Sequence, residues 1–189
     1  MGKRENEEAA MPELGLQGEK IYLRLMTKED TDRIVSWRNN PRVRKNFIYQ
    51  KPFTREGHLD WIEKKVNTGE VIQFIICEKG TDRPVGSVYF RDISREHRRA
   101  EYGIFIGEDD AVGHGIGSET CRLACRYGFE VEKWHKIMLR AFSNNIAAIR
   151  SYEKAGFERE ACLRDEVCID GVYRDVVLMG LINPEEKEN

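Results

Sequence analysis

The sequence predicts an α/β fold, a mixed and mostly antiparallel sheet with helices on both faces. Three observations carry this expectation. Short apolar runs with a period of two alternate along the chain with segments that repeat every three to four residues. Both patterns occur within 189 residues, enough for one domain with a substantial core. A glycine stretch, VGHGIGSE from Val112 to Glu119, joins a strand pattern to a helix pattern.

KIYLRL places Ile21, Leu23 and Leu25 on one face of a first strand. Thr27 with Asp30 forms a cap signal before a helix carrying Ile34 and Trp37, which Asn39, Asn40 and Pro41 end. Thr54 caps a second helix with Leu59, Ile62 and Val66 at helical spacing. VIQFIIC and PVGSVYF then read as a hairpin around Thr81 to Pro84. AEYGIFIG alternates Tyr102, Ile104 and Ile106 and enters the glycine stretch, after which Cys121, Ala124, Cys125, Gly128 and Phe129 mark a helix. A strand KIMLRAF follows, then a helix from about Asn145 to Ala155 closed by Gly156. The last two strands, DEVCI and VYRDVVLMGL, are joined by the hairpin signal Asp170-Gly171. Residues 1–15 and 184–189 lack either period and read as tails around a single domain, 16–183.

Charge excludes some functions. The 31 basic and 33 acidic residues leave a net charge of -2, without the positive excess that grips nucleic acid. No apolar run approaches the ~18 residues of a membrane span. Five cysteines in no CxxC pair, with no signal-peptide pattern, point to a reduced cytoplasmic setting. His58 and His97 lie in charged contexts and His135 at a strand edge, none with metal-ligand spacing, so no metal is expected.

The glycine stretch has chemistry of its own. Successive main-chain N–H groups backed by the positive end of a helix cradle phosphate oxygens, and missing side chains let a diphosphate approach. The dinucleotide fingerprint needs glycine where Ser118 stands, and the triphosphate loop needs an absent Gly-Lys-Ser/Thr ending. A glycine-rich turn with no ligand is the plain alternative. Downstream, NNIAAIRSYEKAGFE sets Asn145, Ala148 and Tyr152 on one side of a helix.

Together, GHGIGSE and NxxAxxxYEKAGF resemble the two signature motifs of the GNAT superfamily of acetyl-CoA-dependent N-acetyltransferases, over about Lys20 to Leu181. AEYGIFIG and the C-terminal strands look like the subgroup of ribosomal-protein N-terminal and spermidine acetyltransferases. WRNNPRVRKNF also looks like acetyltransferases of amino-sugar nucleotides, such as the pseudaminic acid type. The resemblance implies a GNAT fold and acetyl-CoA as co-substrate, without a metal. Direct attack by a primary amine would occur in a ternary complex. The acceptor implied is an amino-sugar nucleotide or a protein N-terminus, with spermidine or a non-catalytic acyl-CoA-binding module as alternatives. Exposed strands at the sheet edge would allow a homodimer.

By the same resemblance, Ile106 and Gly107 offer main-chain groups to the pantetheine arm. Gly113, His114, Gly115, Ile116, Gly117 and Ser118 hold the diphosphate. Val112 stands where the family commonly has Arg or Gln. Asn145 bonds the cofactor arm or caps its helix. Tyr152 bonds or protonates the leaving thiolate, or is a core tyrosine. Glu101 is the candidate base, against a salt-bridged glutamate. Trp37, Arg38 and Asn39, with Arg42 and Arg44, form a wall for an anionic substrate, unless Trp37 is core and the arginines are solvated.

Overall fold

The computed structural model describes residues 16–186. The predicted N-terminal tail, residues 1–15, lies outside them. Seven strands form one sheet in the order β1-β2-β3-β4-β5-β7-β6. They are β1 (Ile21–Leu25), β2 (Ile72–Glu78), β3 (Pro84–Ser94), β4 (Arg99–Ile106), β5 (Lys136–Phe142), β6 (Glu158–Ile169) and β7 (Val172–Ile182). Every neighbouring pair is antiparallel except β4 with β5.

The helices cover both faces, as the sequence predicts. Period-two alternation in β2 sends Phe74 and Ile76 into one core and Ile75 and Cys77 into another. The first core lies against α4 (Ile116–Glu130) and α5 (Ile146–Lys154), through Cys121, Ala124, Cys125 and Ile149. The second lies under α1 (Thr31–Asn39), the short α2 (Pro41–Arg44) and α3 (Arg55–Trp61), through Ile34, Trp37, Val43 and Ile62. Because β2 is apolar on both sides, it can sit between two helix layers.

Local signals hold at most boundaries. The Thr54 hydroxyl accepts the Gly57 N–H at 3.1 Å to cap α3, and Asn145 accepts the Ala148 N–H at 3.3 Å to cap α5. Gly156 closes α5 at φ +97°, while Asp170 and Gly171 both take positive φ in the final hairpin.

Other boundaries differ. The Thr27/Asp30 signal opens a 3-10 turn, Lys28–Asp30, that runs on into α1. Pro41 ends α1 yet starts α2, since proline suits the first turn of a helix. α3 continues as a π-helical segment, Ile62–Val66. β6 begins at Glu158, ahead of DEVCI, because an exposed edge strand shows little apolar alternation. Pro184–Glu186, expected in the C-terminal tail, forms a 3-10 turn whose Glu186 carboxylate meets Arg98 at 2.5 Å and His135 at 2.7 Å.

Helix α4 packs tightly on the sheet. A methyl group on Gly128 would sit 2.7 Å from the buried Trp134 ring. Alanine gains ~1 kcal/mol of helix propensity over glycine, but overpacking a rigid ring costs about 1–3 kcal/mol. Gly128→Ala is therefore expected to lower the urea midpoint and Tm, with an unchanged or higher midpoint refuting this packing.

Candidate active site

β4 and β5 pair only at Arg99–Lys136, Ala100–Ile137 and Glu101–Met138. Beyond Glu101 each follows its antiparallel partner, β4 along β3 to Ile106 and β5 along β7 to Phe142. The sheet consequently splits in its middle. A cavity of about 920 Å3 occupies the split, and its lining comes from both faces: Tyr89, Arg91 and Glu101 on one, Tyr102, Ile104 and Tyr152 on the other.

At one end lies the glycine loop. Gly113 and Gly115 take φ +87° and +81°, which explains glycine at both. An added methyl group on Gly113 or Gly117 would meet nothing within 4 Å, so the loop faces open space. The first N–H of this turn to find a carbonyl is that of Glu119, bonded to Gly115 O at 3.1 Å. The N–H groups of Ile116, Gly117 and Ser118 precede it at the positive end of α4. Such a mouth fits a diphosphate.

A cation also stands there. Lys20 Nζ donates to His114 O at 3.0 Å, while the Lys20 N–H donates to the buried Glu119 carboxylate at 3.0 Å. β1 thereby ties itself to the loop, across a sequence separation that local patterns do not span. Val112 is exposed and leaves the loop without a side-chain cation of its own.

Tyr152 lines the same cavity as the loop. The Ser118 and Ser151 hydroxyls, 2.9 Å apart, link the mouth of α4 to the turn of α5 that carries it. Its ring packs edge-on to Tyr102 at 6.1 Å and against Phe157 at 6.0 Å. Burial pushes its phenol well above the usual tyrosine range, so it remains protonated at neutral pH.

Several expected site residues have other partners. The carbonyls of Ile106 and Gly107 accept from Arg42 Nη2 at 3.1 and 3.0 Å, and the Gly107 N–H donates to Val85 O at 2.7 Å. The β4 edge left unpaired at the split runs from Tyr102 to Ile106, and Ile106 lines the cavity. Trp37 is core: its ring covers Gly107, where a methyl group would come within 2.2 Å, and its Nε1 donates to Glu108 at 2.9 Å. Asn39 clamps the Phe53 backbone, donating to its carbonyl at 2.7 Å and accepting its N–H at 2.8 Å. Arg42 also pairs with Asp109 at 2.5 Å. Asn145 caps α5 as described and lines the cavity.

Glu101 lies between two guanidiniums, Arg91 at 2.5 Å and Arg140 at 3.0 Å, one on each carboxylate oxygen. That setting occupies both oxygens, a poor arrangement for a base. Arg38 keeps its place in the cavity wall. Its guanidinium lies 3.3 Å from the Phe47 ring centroid and 5.2 Å from that of Phe53. Burial lowers it to about 10, and no carboxylate pairs with it among the described residues.

His58, which its neighbours in sequence place in a charged context, is buried between Phe53 and Trp61. Burial depresses it to about 4, so the ring is neutral at pH 7. Its one visible hint was its place in a capped amphipathic helix.

Residues 20–158 match the family described as Acetyltransferase (GNAT) domain. The chain is 27% identical to a probable N-acetyltransferase of Bacillus subtilis, YjcK, over 92% of this chain and 99% of that one. It is 30% identical to the spermidine N(1)-acetyltransferase of Escherichia coli over 84% of each. Its fold superposes on the Vibrio cholerae spermidine N-acetyltransferase in complex with CoA and spermine with a TM-score of 0.81, at 25% identity, covering 87% of this chain and 96% of that one. With the split sheet, the amide-lined helix mouth and this match over most of its length, the chain belongs to the GNAT family of N-acetyltransferases, whose co-substrate is acetyl-CoA.

Proposed function

We propose that this enzyme transfers acetyl from CoA to a primary amine by direct attack in a ternary complex. We further propose that its acceptor carries an anionic or neutral polar body, as an amino-sugar nucleotide or a peptide amine does. The observation that supports this choice is the charge in the cavity. Among the described residues four arginines and one carboxylate line it: Arg91 and Arg140 pair with Glu101, Arg42 with Asp109, and Arg38 with no carboxylate. A polycation would meet repulsion there, whereas a phosphate or carboxylate would find a guanidinium with an open fork.

In this reading Ile116, Gly117 and Ser118 hold the CoA diphosphate through their N–H groups, with the Lys20 ammonium beside them. The pantetheine amides lie along β4, whose unpaired edge from Tyr102 to Ile106 supplies main-chain partners. The acetyl group then lies near Tyr152, and the amine reaches it through the split from the opposite face. Bond formation between nitrogen and the carbonyl carbon is followed by cleavage of the C–S bond. Tyr152 donates a hydrogen bond to the departing thiolate. Full proton transfer from a phenol raised by burial to a thiolate near ~8.5 is uphill, so the thiolate gains its proton from the acylated nitrogen, directly or through water.

The first test is thiol release from acetyl-CoA across an amine panel. An amino-sugar nucleotide or a peptide amine should give higher kcat/KM than spermidine, and Arg38→Met should narrow that gap at least tenfold. A response confined to spermidine refutes the assignment.

Tyr152→Phe is expected to lower kcat about 10²–10³-fold, the usual loss of one preorganised donor, with the KM for acetyl-CoA within about twofold. Because its pKa is raised, Tyr152 stays the donor as pH increases, and kcat should show no falling limb from it between pH 7 and 10. A fall in that range abolished by Tyr152→Phe would contradict this.

Glu101→Gln should behave differently. Leaving two guanidiniums uncompensated costs about 1–3 kcal/mol of stability, because one keeps only a neutral amide oxygen and the other loses its acceptor to an NH2 group. A variant with native Tm and kcat reduced by 10² or more would restore Glu101 as the base.

A further inference from the structure

The far wall of the cavity, on the face covered by α1 and α3, holds two buried polar side chains without enough partners. Gln73 is 4% exposed and His58 1%, and both line the cavity. The Gln73 amide is fixed: its Nε2 donates to Ser87 Oγ at 2.8 Å, and that hydroxyl donates to Phe74 O at 2.8 Å. This relay leaves Gln73 Oε1 with no hydrogen-bond partner. His58 Nδ1 meets Thr31 Oγ1 at 3.2 Å, and its Nε2 likewise has no partner. Buried polar atoms in native proteins are nearly always satisfied, so the two on this wall call for a ligand group; the Tyr102 hydroxyl, on the opposite face of the sheet, is a third such atom.

Their place in the sheet says which part of a ligand they meet. Gln73 pairs across to Tyr89, and Tyr89 to Gly103 on the split edge of β4. Two strand spacings put the Gln73 backbone about 9–10 Å from that edge. Gln73 therefore lies too far from the transferred acetyl group to hold the attacking nitrogen. Tyr89 covers Gly103, where a methyl group would come within 2.3 Å of its ring, and all three residues line the one cavity.

We infer that Gln73 and His58 form a distal acceptor subsite that takes an uncharged hydroxyl or amide N–H about 10 Å from the acetylated amine. The inference rests on the acetyl-transfer reading and deepens it: the acceptor is extended, with its amine at the β4–β5 split and a neutral hydrogen-bonding group at the other end. The donor satisfies Gln73 Oε1, and a hydroxyl that gives its one proton there can also accept from His58 Nε2–H, in the tautomer whose Nδ1 accepts from the Thr31 hydroxyl. Arg38, in the same wall, reads charge separately.

The test uses the amine that the thiol-release panel identifies. Gln73→Met keeps the volume and removes the bare carbonyl; it should raise the acceptor KM about 10–100-fold, the cost of an unpaired buried donor. The KM for acetyl-CoA should change less than twofold. The variant removes the Nε2 bond to Ser87 Oγ together with the bare carbonyl, two effects of opposite sign and similar size, so Tm should change little. His58→Phe, as a second variant, should raise the acceptor KM in the same direction. An analogue of the acceptor without its distal hydroxyl or amide should lose about as much on the wild-type enzyme and nothing further on Gln73→Met. Turnover with an acceptor KM unchanged in both variants overturns the subsite alone and leaves acetyl transfer intact. Failure of every amine to release thiol from acetyl-CoA overturns the acetyl-transfer reading, and the subsite with it.

Discussion

One pairing decides the shape of the molecule: β4 runs parallel to β5 for three residue pairs and then departs. Elsewhere the sheet is antiparallel, so each strand is locked to a neighbour along its length. At the parallel pair both strands have a stronger commitment on the other side, and the seam opens. An open seam would normally leave unsatisfied backbone in the middle of a sheet. Here it lines a cavity, and α4 starts beside it, so unpaired N–H groups of two kinds converge on one space. Acetyl-CoA, an amide-rich arm ending in a diphosphate, is the shape that such a space satisfies.

The same seam accounts for the cost of the charged residues around it. Glu101 sits on the last residue pair before the strands part, where it is nearly buried and where Arg91 from β3 and Arg140 from β5 both reach it. A carboxylate flanked this way closes the end of the split, bridging three strands as the backbone ladder stops. Its charge is spent on that task. Arg38 is different because its partner is the Phe47 ring, which holds the guanidinium without neutralising it. Retaining an uncompensated cation in a half-buried wall is unfavourable for stability unless a ligand brings the counter-charge.

The fold was legible because its signals are local. Thr54, Asn145, Gly156 and Asp170-Gly171 each act within a few residues of themselves, and each does in the structure what its chemistry implies. The glycine loop was legible for the same reason. Residues whose partners are remote were not: Lys20 reaches the loop from β1, Arg140 reaches Glu101 from another strand, and Trp37 covers Gly107. Trp37, Asn39 and Arg42 form a polar run that reads as a substrate wall, yet each is used inside the fold, on Glu108, the Phe53 backbone and Asp109. Gln73 gave no signal and His58 only its place in a capped helix, because an isolated polar residue in such an element looks like its solvent-facing neighbours until burial is known.

With Glu101 committed, the proposed reaction needs another account of how the amine loses its proton. A primary amine near ~10.4 is a cation in neutral water, and bringing it to the neutral form at pH 7 requires about 4–5 kcal/mol. A dedicated base is one way to supply this, but the cavity supplies another. Arg38, Arg91 and Arg140, set against the single charge of Glu101, and a buried wall disfavour a further positive charge, and each would act on the acceptor before it reaches the acetyl group. Like charges and desolvation can shift an amine by several units, which covers most of the gap. In the proposed reaction the proton would then be shed to water at the mouth, the amine would enter neutral, and the attack would need no carboxylate at the reacting atoms. The cationic wall that would repel a polyamine is thus the same feature that would prepare a monoamine for attack.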